Sequence, residues 1–465
     1  MTGTFLDNDT IAAIATPSGL GGIGIVKISG PSARKIRDRL FRPSGTEKPT
    51  VSHHLVHGVI INCDDGSVVD EVLVSWMAGP HSYTGEDVVE INSHGGPVVI
   101  RRILGLVLDS GARMAAPGEF TRRGFLNGRM DLTQAEAVVD LINAKTERAA
   151  RMANRQLGGE FKTRVEGILS VLKDAYAWVA ASIDFPEDVG DDGSHTAIIA
   201  SRLEQDVLKP LRAFIEHHHV GQVLREGARI AVVGRPNVGK SSLMNRLLDR
   251  ERVIVSDVPG TTRDAITDAT SIEGIPVVLV DTAGLRKTPD PIEAIGIQKT
   301  QEAISTAQLV LFLVEAGSAL HPDDIDNLLT LNDLPLILVR NKMDLTEAHD
   351  IPCMMPDREE VPVVVISAKY GDGIGALKRV IVDVLTWGQG DDEDNDVMPN
   401  QRQVRHLMEA ASAVDRAIDI LGRQGEDELV AMEMDSAVAH INMILGTTAS
   451  EDILDTVFSR FCIGK

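Results

Sequence analysis

Gly234-Arg235-Pro236-Asn237-Val238-Gly239-Lys240-Ser241-Ser242 follows a strand-length apolar run, Ile230-Ala231-Val232-Val233. It precedes Leu243-Met244-Asn245-Arg246-Leu247-Leu248, which opens like a helix. A strand, a G-x-x-x-x-G-K-S loop and a helix in this order make a phosphate cradle. Glycines let the backbone wrap an anion, amides at the helix N-terminus point at it, and the helix dipole adds favourable charge. In such a cradle Lys240 reaches the β- and γ-phosphates and the Ser241 hydroxyl ligates magnesium, with Asn237, Val238, Gly239 and Ser242 lining the loop.

Working outward, three further apolar runs each end in a motif. Ile275 to Val280 ends in Asp281-Thr282-Ala283-Gly284, where a carboxylate can hold the magnesium shell and a glycine amide can meet the γ-phosphate. Leu334 to Val339 leads to Asn341-Lys342-Met343-Asp344, and Asp344 matches the donor face of guanine, which adenine lacks. Val361 to Ile366 ends in Ser367-Ala368-Lys369, whose backbone faces the guanine oxygen. Motifs at the carboxyl ends of successive apolar strands suit the crevice of a doubly wound sheet. The expected ligand is GTP.

Hydrolysis needs more than a cradle. In Ras-like switches a Gln just after D-x-x-G orients the attacking water. Leu285 stands there and cannot hydrogen-bond water. Ser256-Asp257-Val258-Pro259-Gly260-Thr261-Thr262-Arg263-Asp264 is the candidate first switch, with Thr262 completing the magnesium shell. The amide of Asn237 has two readings: a hydrogen bond within the loop, or a ligand for a monovalent cation held with switch oxygens. The second would supply the charge that an arginine finger brings elsewhere.

With 465 residues the chain has room for several domains. A formal net charge of −22 argues against broad, unaided binding of nucleic acid. Three cysteines form no disulfide framework, which fits a reducing cytoplasm. No apolar run approaches the ~20 residues of a membrane helix, and Met1 to Thr10 does not read as a secretory signal.

Alternating strands and turns are expected at Ile11–Ala15, Ile25–Ile28, Leu55–Ile61, Glu71–Met77 and Val88–Ile91, then a helix over Val98–Leu108. Gly19-Leu20-Gly21-Gly22-Ile23-Gly24 reads as a tight turn rather than a dinucleotide fingerprint. From Asp131 to about Val223 the pattern is helical, with Val165, Ile168, Leu169, Leu172, Tyr176, Val179 and Ile183 on one face. His217-His218-His219 cannot share one metal, because adjacent helical positions diverge. The acidic, glycine-bearing run Gly388 to Asp396 reads as a solvated linker. Beyond it, Val404, Leu407, Met408, Ala411, Val414, Ile418 and Leu421 form a stripe, and a last helix carries Ile453, Leu454, Val457, Phe458 and Phe461, with a capping box from Thr448 to Glu451. The two helical blocks are expected to pack together, with the nucleotide domain inserted between them. The expected division is 1–127 (α+β), 128–226 (helical, first part), 227–388 (inserted GTPase domain) and 389–465 (linker and helical, second part).

In its phosphate loop, G-T-T-R-D switch, D-T-A-G-L-R, N-K-M-D and S-A-K, the chain resembles the tRNA modification GTPase family MnmE, also called TrmE. The terminal Phe461-Cys462-Ile463-Gly464-Lys465 matches that family's C-[ILV]-G-K signature. Tyr83-Thr84-Gly85-Glu86-Asp87, His94-Gly95-Gly96-Pro97 and Leu132-Thr133-Gln134-Ala135-Glu136-Ala137 match its N-terminal motifs. The resemblance implies an N-terminal α+β domain that binds a tetrahydrofolate derivative and dimerises, a discontinuous helical domain, and an inserted Ras-like G domain. It further implies a cytoplasmic homodimer that joins an FAD-containing partner, MnmG (GidA), in a heterotetramer. Together they would add an aminomethyl-type group at carbon 5 of the wobble uridine of certain tRNAs. The alternative is a ribosome-assembly GTPase of the Era or Der kind.

Residue by residue, the resemblance places potassium on Asn237, Ser256, Val258 and Thr261, with Asp257, Pro259 and Gly260 completing that loop around GTP. Magnesium falls to Ser241 and Thr262, and the water-orienting carboxylate to Glu293. Folate falls to Lys27, Glu90, Arg129 and Lys465, with Lys27 where the family usually has Arg and Arg129 where it usually has Lys. Cys462 would lie beside the folate, either as a reactive thiol or as a buried, inert one near Phe458 and Phe461. Arg122, Arg123, Arg148, Arg151 and Arg155 are candidates for tRNA contact, against a default of solvated helix faces.

Overall fold

The structure is a computed structural model and describes residues 9–45, 51–185, 194–248, 268–281, 304–329, 331, 334–346, 361–388, 397–423 and 425–465. It divides into two compact units, Met1–Val139 with Asn442–Lys465, and Asp140–Ile441. No helix among the described residues is long and apolar enough to cross a membrane.

The first unit holds strands β1 (Ile11–Ile14), β2 (Ile23–Ser29), β3 (Phe41–Pro43), β4 (His54–Ile61), β5 (Val68–Met77), β6 (Val88–His94) and β7 (Arg113–Met114). They form one sheet in the order β3-β4-β5-β6-β2-β1-β7, antiparallel except for β1 with β7. Alternation sorts the two faces. Ala12, Val26, Ile28, Val72, Val74, Val89 and Ile91 point into a core closed by helices Ala33–Leu40 and Pro97–Asp109. Ile11 and Ala13 pack instead with Phe120 of helix Glu119–Leu126 and with Tyr83. The Gly19–Gly22 stretch is the loop between β1 and β2. Helix Ala33–Leu40 was not among the sequence expectations.

The last segment of the chain joins this unit, although its apolar pattern suggested the C-terminal helical block. Helix Glu451–Phe458 closes on helix Glu119–Leu126, with Phe458 6.4 Å from Phe125, and Asp455 paired with Arg122 at 2.6 Å. Gly118 is needed there, since a Cβ would lie 2.6 Å from the Phe458 carbonyl oxygen. Gly464, at φ +97°, packs its Cα against β1, where a Cβ would stand 2.6 Å from Ile14 O. The expected capping box at Thr448–Glu451 is absent: the N-cap is Ser450, and its side chain makes no capping bond.

The second unit holds β8 (Ala228–Gly234), β9 (Asp268–Ile272), β10 (Ile275–Asp281), β11 (Leu309–Glu315), β12 (Leu336–Asn341) and β13 (Val363–Val365). Their order is β13-β12-β11-β8-β10-β9, parallel except for β9. Burial on both faces explains the continuous apolar runs. Helices Lys240–Leu248 and Ile374–Leu385 cover one face, and Leu328 of helix Pro322–Leu329 packs on the other.

Two helical blocks flank that sheet in sequence and touch one another. Helix Glu160–Asp184 buries Val165, Ile168, Leu169, Leu172 and Val179 along the expected face, with Tyr176 half-buried. Helix Gln401–Gly422 buries Val404, Leu407, Ala411, Val414 and Leu421, whereas Met408 is exposed. Between the blocks, Arg225 donates to Met398 O at 3.0 Å, Ser182 donates to Asp427 at 2.7 Å, and Arg212 pairs with Asp415 at 3.0 Å. The three successive histidines diverge as helical geometry requires: His217 bonds Ala213 O, His218 bonds Pro399 O, and His219 stacks on Trp387.

Candidate functional site

The loop after β8 turns on two glycines and one strained asparagine. Gly234 adopts φ +153°, and a Cβ there would lie 2.4 Å from Leu313 O on β11. Gly239, at φ +104°, would bring a Cβ to 2.2 Å from Asn341 Nδ2. Asn237 holds φ +66°, a left-handed conformation that asparagine tolerates better than most residues. It is exposed, and among the described residues its side chain makes no hydrogen bond. Lys240 begins the following helix and donates its ammonium to Gly234 O at 2.8 Å and Arg235 O at 3.1 Å. Burial pushes its pKa down, and Asp281 at the end of β10 opposes that shift. Ser241 and Ser242 are exposed on the first helical turn.

At the neighbouring strand ends the guanine motifs are tied to this loop. Asn341, buried at the end of β12, donates Nδ2–H to Val238 O at 2.8 Å and accepts the Ala368 amide on Oδ1 at 2.9 Å. One side chain thus bridges the phosphate loop and the Ser367-Ala368-Lys369 loop. Asp344 is exposed and accepts the Ser367 hydroxyl at 2.6 Å. Lys342, at φ +69°, is ion-paired with Glu315. Sequence reasoning missed two supports. Arg246 donates to Ala368 O and Lys369 O at 3.3 and 2.7 Å, clamping the same loop from the helix that follows the phosphate cradle. Arg235 pairs with Asp324, which is buried. Arg246 and Asp324 belong to no nucleotide motif, and Arg235 fills a variable position of the phosphate loop, so spacing carried no signal for them.

The structure therefore gathers Asn237, Val238, Gly239, Lys240, Ser241, Ser242, Asp281, Asn341, Lys342, Asp344, Ser367, Ala368 and Lys369 along the carboxyl edge of one sheet. Ser256 through Thr262, Thr282, Ala283, Gly284, Leu285 and Glu293 lie outside the described residues.

A second cluster lies in the first unit. Register places Lys27 opposite Glu90 on β6 and Ala13 on β1. The Lys27 ammonium is buried 3.6 Å from Glu90, over the rings of Tyr83 (5.2 Å) and Phe120 (5.5 Å). Burial lowers its pKa, Glu90 opposes this, and the positive charge of the terminal Lys465 adds to the lowering. Arg129 is held on the adjoining loop through Ser82 O at 3.0 Å. Cys462 is exposed, which overturns the buried alternative for that thiol.

Two of the suggested RNA-contact arginines are instead structural. Arg122 is buried against Asp455, and Arg123 is shared among Asp9, Glu86 and Glu119. Arg155 is paired with Glu160 at 2.8 Å, and exposed Arg151 lies 3.9 Å from Glu147.

Comparison with known proteins matches both regions. The family model described as "GTP-binding protein TrmE N-terminus" matches residues 10–129, and that of the "MnmE helical domain" matches residues 132–462. The chain belongs to the MnmE family. A tRNA modification GTPase MnmE of Chloroflexus aurantiacus is 42% identical over 459 residues, covering 98% of this chain and all of that protein. MnmE proteins of Moorella thermoacetica and Geobacter sulfurreducens are each 43% identical, over 98% of this chain and 100% and 99% of theirs. MnmE relatives thus match the chain nearly end to end, which decides against the ribosome-assembly alternative.

Proposed function

We propose that this chain is a potassium-stimulated GTPase that works with an FAD-containing MnmG partner to modify carbon 5 of the wobble uridine in tRNA. The observation that carries the reading is the bridge through Asn341, which couples phosphate and base recognition on one sheet edge. The same chain holds the buried Lys27 cluster. Magnesium fits Ser241, exposed where the helix begins, with Thr262 as its second protein ligand. Potassium fits Asn237, whose amide is uncommitted among the described residues and can face a cation together with oxygens of Ser256, Val258 and Thr261. When bound, these cations would offset negative charge on the phosphates.

The chain's own residues supply the rest. Lys240 neutralises phosphate charge, Asp344 selects guanine, and Glu293 orients water in place of Leu285. In the N-terminal unit, the Tyr83 and Phe120 rings offer an apolar wall for a pterin, with Glu90, Arg129, Lys27 and Lys465 as polar anchors. A tetrahydrofolate derivative bound there would supply the one-carbon unit, and a homodimer formed through this unit completes the proposal. GTP hydrolysis serves as the conformational step. Mass spectrometry of wobble nucleosides tests this. Cells lacking the protein should lose the carbon-5 modification and regain it with the wild-type chain but not with Lys240→Ala. Unaltered nucleosides in the deletion would contradict it.

A further inference from the structure

Arg235 is the second residue of the phosphate loop, and its side chain does not point at random. Nε donates to both carboxylate oxygens of Asp324, a residue only 1% exposed, at 3.1 and 3.0 Å. Asp324 sits in the first turn of helix Pro322–Leu329, which follows β11. It is fixed there by its own backbone: Oδ2 accepts the His321 amide at 3.2 Å, and its amide donates to His321 O at 2.8 Å. The carbonyl of Arg235 in turn accepts the Lys240 ammonium at 3.1 Å, beside Gly234 O at 2.8 Å. A continuous chain therefore runs from a buried carboxylate, through a guanidinium and its own carbonyl, to the amine that meets the phosphates.

We infer that Asp324 is a positioning residue for GTP hydrolysis, acting through Arg235 to hold the loop carbonyl that aims Lys240. The physical argument is one of freedom. A lysine has a flexible four-carbon stem, and its ammonium is a point charge that goes where acceptors hold it. Its acceptors here are carbonyls at the start of a loop. Gly234 ends β8 paired with Leu313 of β11, so its backbone is held by the sheet. Among the described residues Arg235 has no backbone–backbone hydrogen bond, so its position depends on its side chain. A carboxylate buried at a helix start is a rigid anchor, because an unpaired charge there is costly. Misplacing a charged group by a fraction of an ångström weakens transition-state contacts more than ground-state binding.

The inference rests on the reading of this loop as a GTP site. Steady-state hydrolysis and the thermal midpoint are measured on the full chain for wild type, Asp324→Asn, Arg235→Gln, Arg235→Lys and the double variant Arg235→Gln/Asp324→Asn. Asp324→Asn keeps the shape and an acceptor for the His321 amide. Each of Asp324→Asn and Arg235→Gln should lower kcat about tenfold with little change in KM, and the double variant should lose no more than the worse single. Arg235→Lys should recover part of the rate. A kcat for Asp324→Asn at the wild-type level, or losses that multiply in the double variant, would overturn the inference. So would a lowered midpoint with kcat unchanged, which is the mark of a purely structural pair. If Asp324→Asn does not fold, Arg235→Gln against Arg235→Lys decides by the same kcat comparison. A wild-type chain that hydrolyses no GTP at all would instead overturn the reading of the site.

Discussion

Gly239 shows how little latitude the phosphate loop has. Its φ of +104° is strained for any side chain, and a methyl would meet the Asn341 amide at 2.2 Å. Gly239→Ala should therefore break the bridge as well as the turn and abolish GTP binding, measured with a fluorescent GTP analogue. Near wild-type affinity would refute the close approach. Asn341→Ala should cost about 1–3 kcal/mol of stability, because Val238 O and the Ala368 amide lose a buried partner. In the other unit, Asp9 and Glu119 carry pH dependence. Burial opposes ionisation of each, but hydrogen bonds from Arg113 and Arg123, with the Ala116 amide for Glu119, win and hold both pKa values below their ordinary 3.8 and 4.5. A lowered folded-state pKa stabilises above the unfolded value and is lost as pH falls through the folded one. The thermal midpoint of this unit should drop on acidification below about pH 4.5, and Glu119→Gln should flatten that drop. Motif residues such as Lys240 and Asp344 were legible because their chemistry demands one residue type at one spacing. Asp324 and Arg246 were not, since contacts across the fold leave no periodic mark.

Elements were read best where one face is buried and least where a side chain decides a boundary. The stripe on helix Gln401–Gly422 matched except at Met408, which is exposed, with Ile418 half-buried. Capping was misplaced: reciprocal boxes form instead at Asn400 with Gln403, each side chain bonding the other's backbone amide at 2.9 Å, and at Asp131 with Gln134, at 3.1 Å. Asn400→Ala should cost ~1 kcal/mol in denaturant unfolding, and no change would show the box to be idle. The terminal segment was read as amphipathic, but an apolar face does not say which core it will join. Gly464→Ala tests that placement, because a Cβ 2.6 Å from Ile14 O must push the tail off β1. Calorimetry should find binding of a reduced folate at least about tenfold weaker, a loss of some 1.4 kcal/mol or more.

For the whole molecule, the order of the nucleotide motifs makes the doubly wound sheet readable in the sequence, because each motif ends a parallel strand. Strands β9 and β11 escaped notice, since neither ends in a nucleotide motif. The flanking helical blocks were readable as partners, and Gln156 meets Gln403 at 3.4 Å across them. Their grouping with the inserted sheet in one compact unit was not readable, because that depends on residues such as Met152 and Met398 reaching the sheet's core. In the proposed function the nucleotide module takes catalytic charge from a bound monovalent cation. The most direct measurement is GTP turnover by the purified chain in potassium chloride and in sodium chloride at equal ionic strength, for wild type and Asn237→Ala. Turnover should be about tenfold or more faster in potassium for the wild type and the same in both salts for Asn237→Ala. Equal wild-type rates in the two salts would contradict the account.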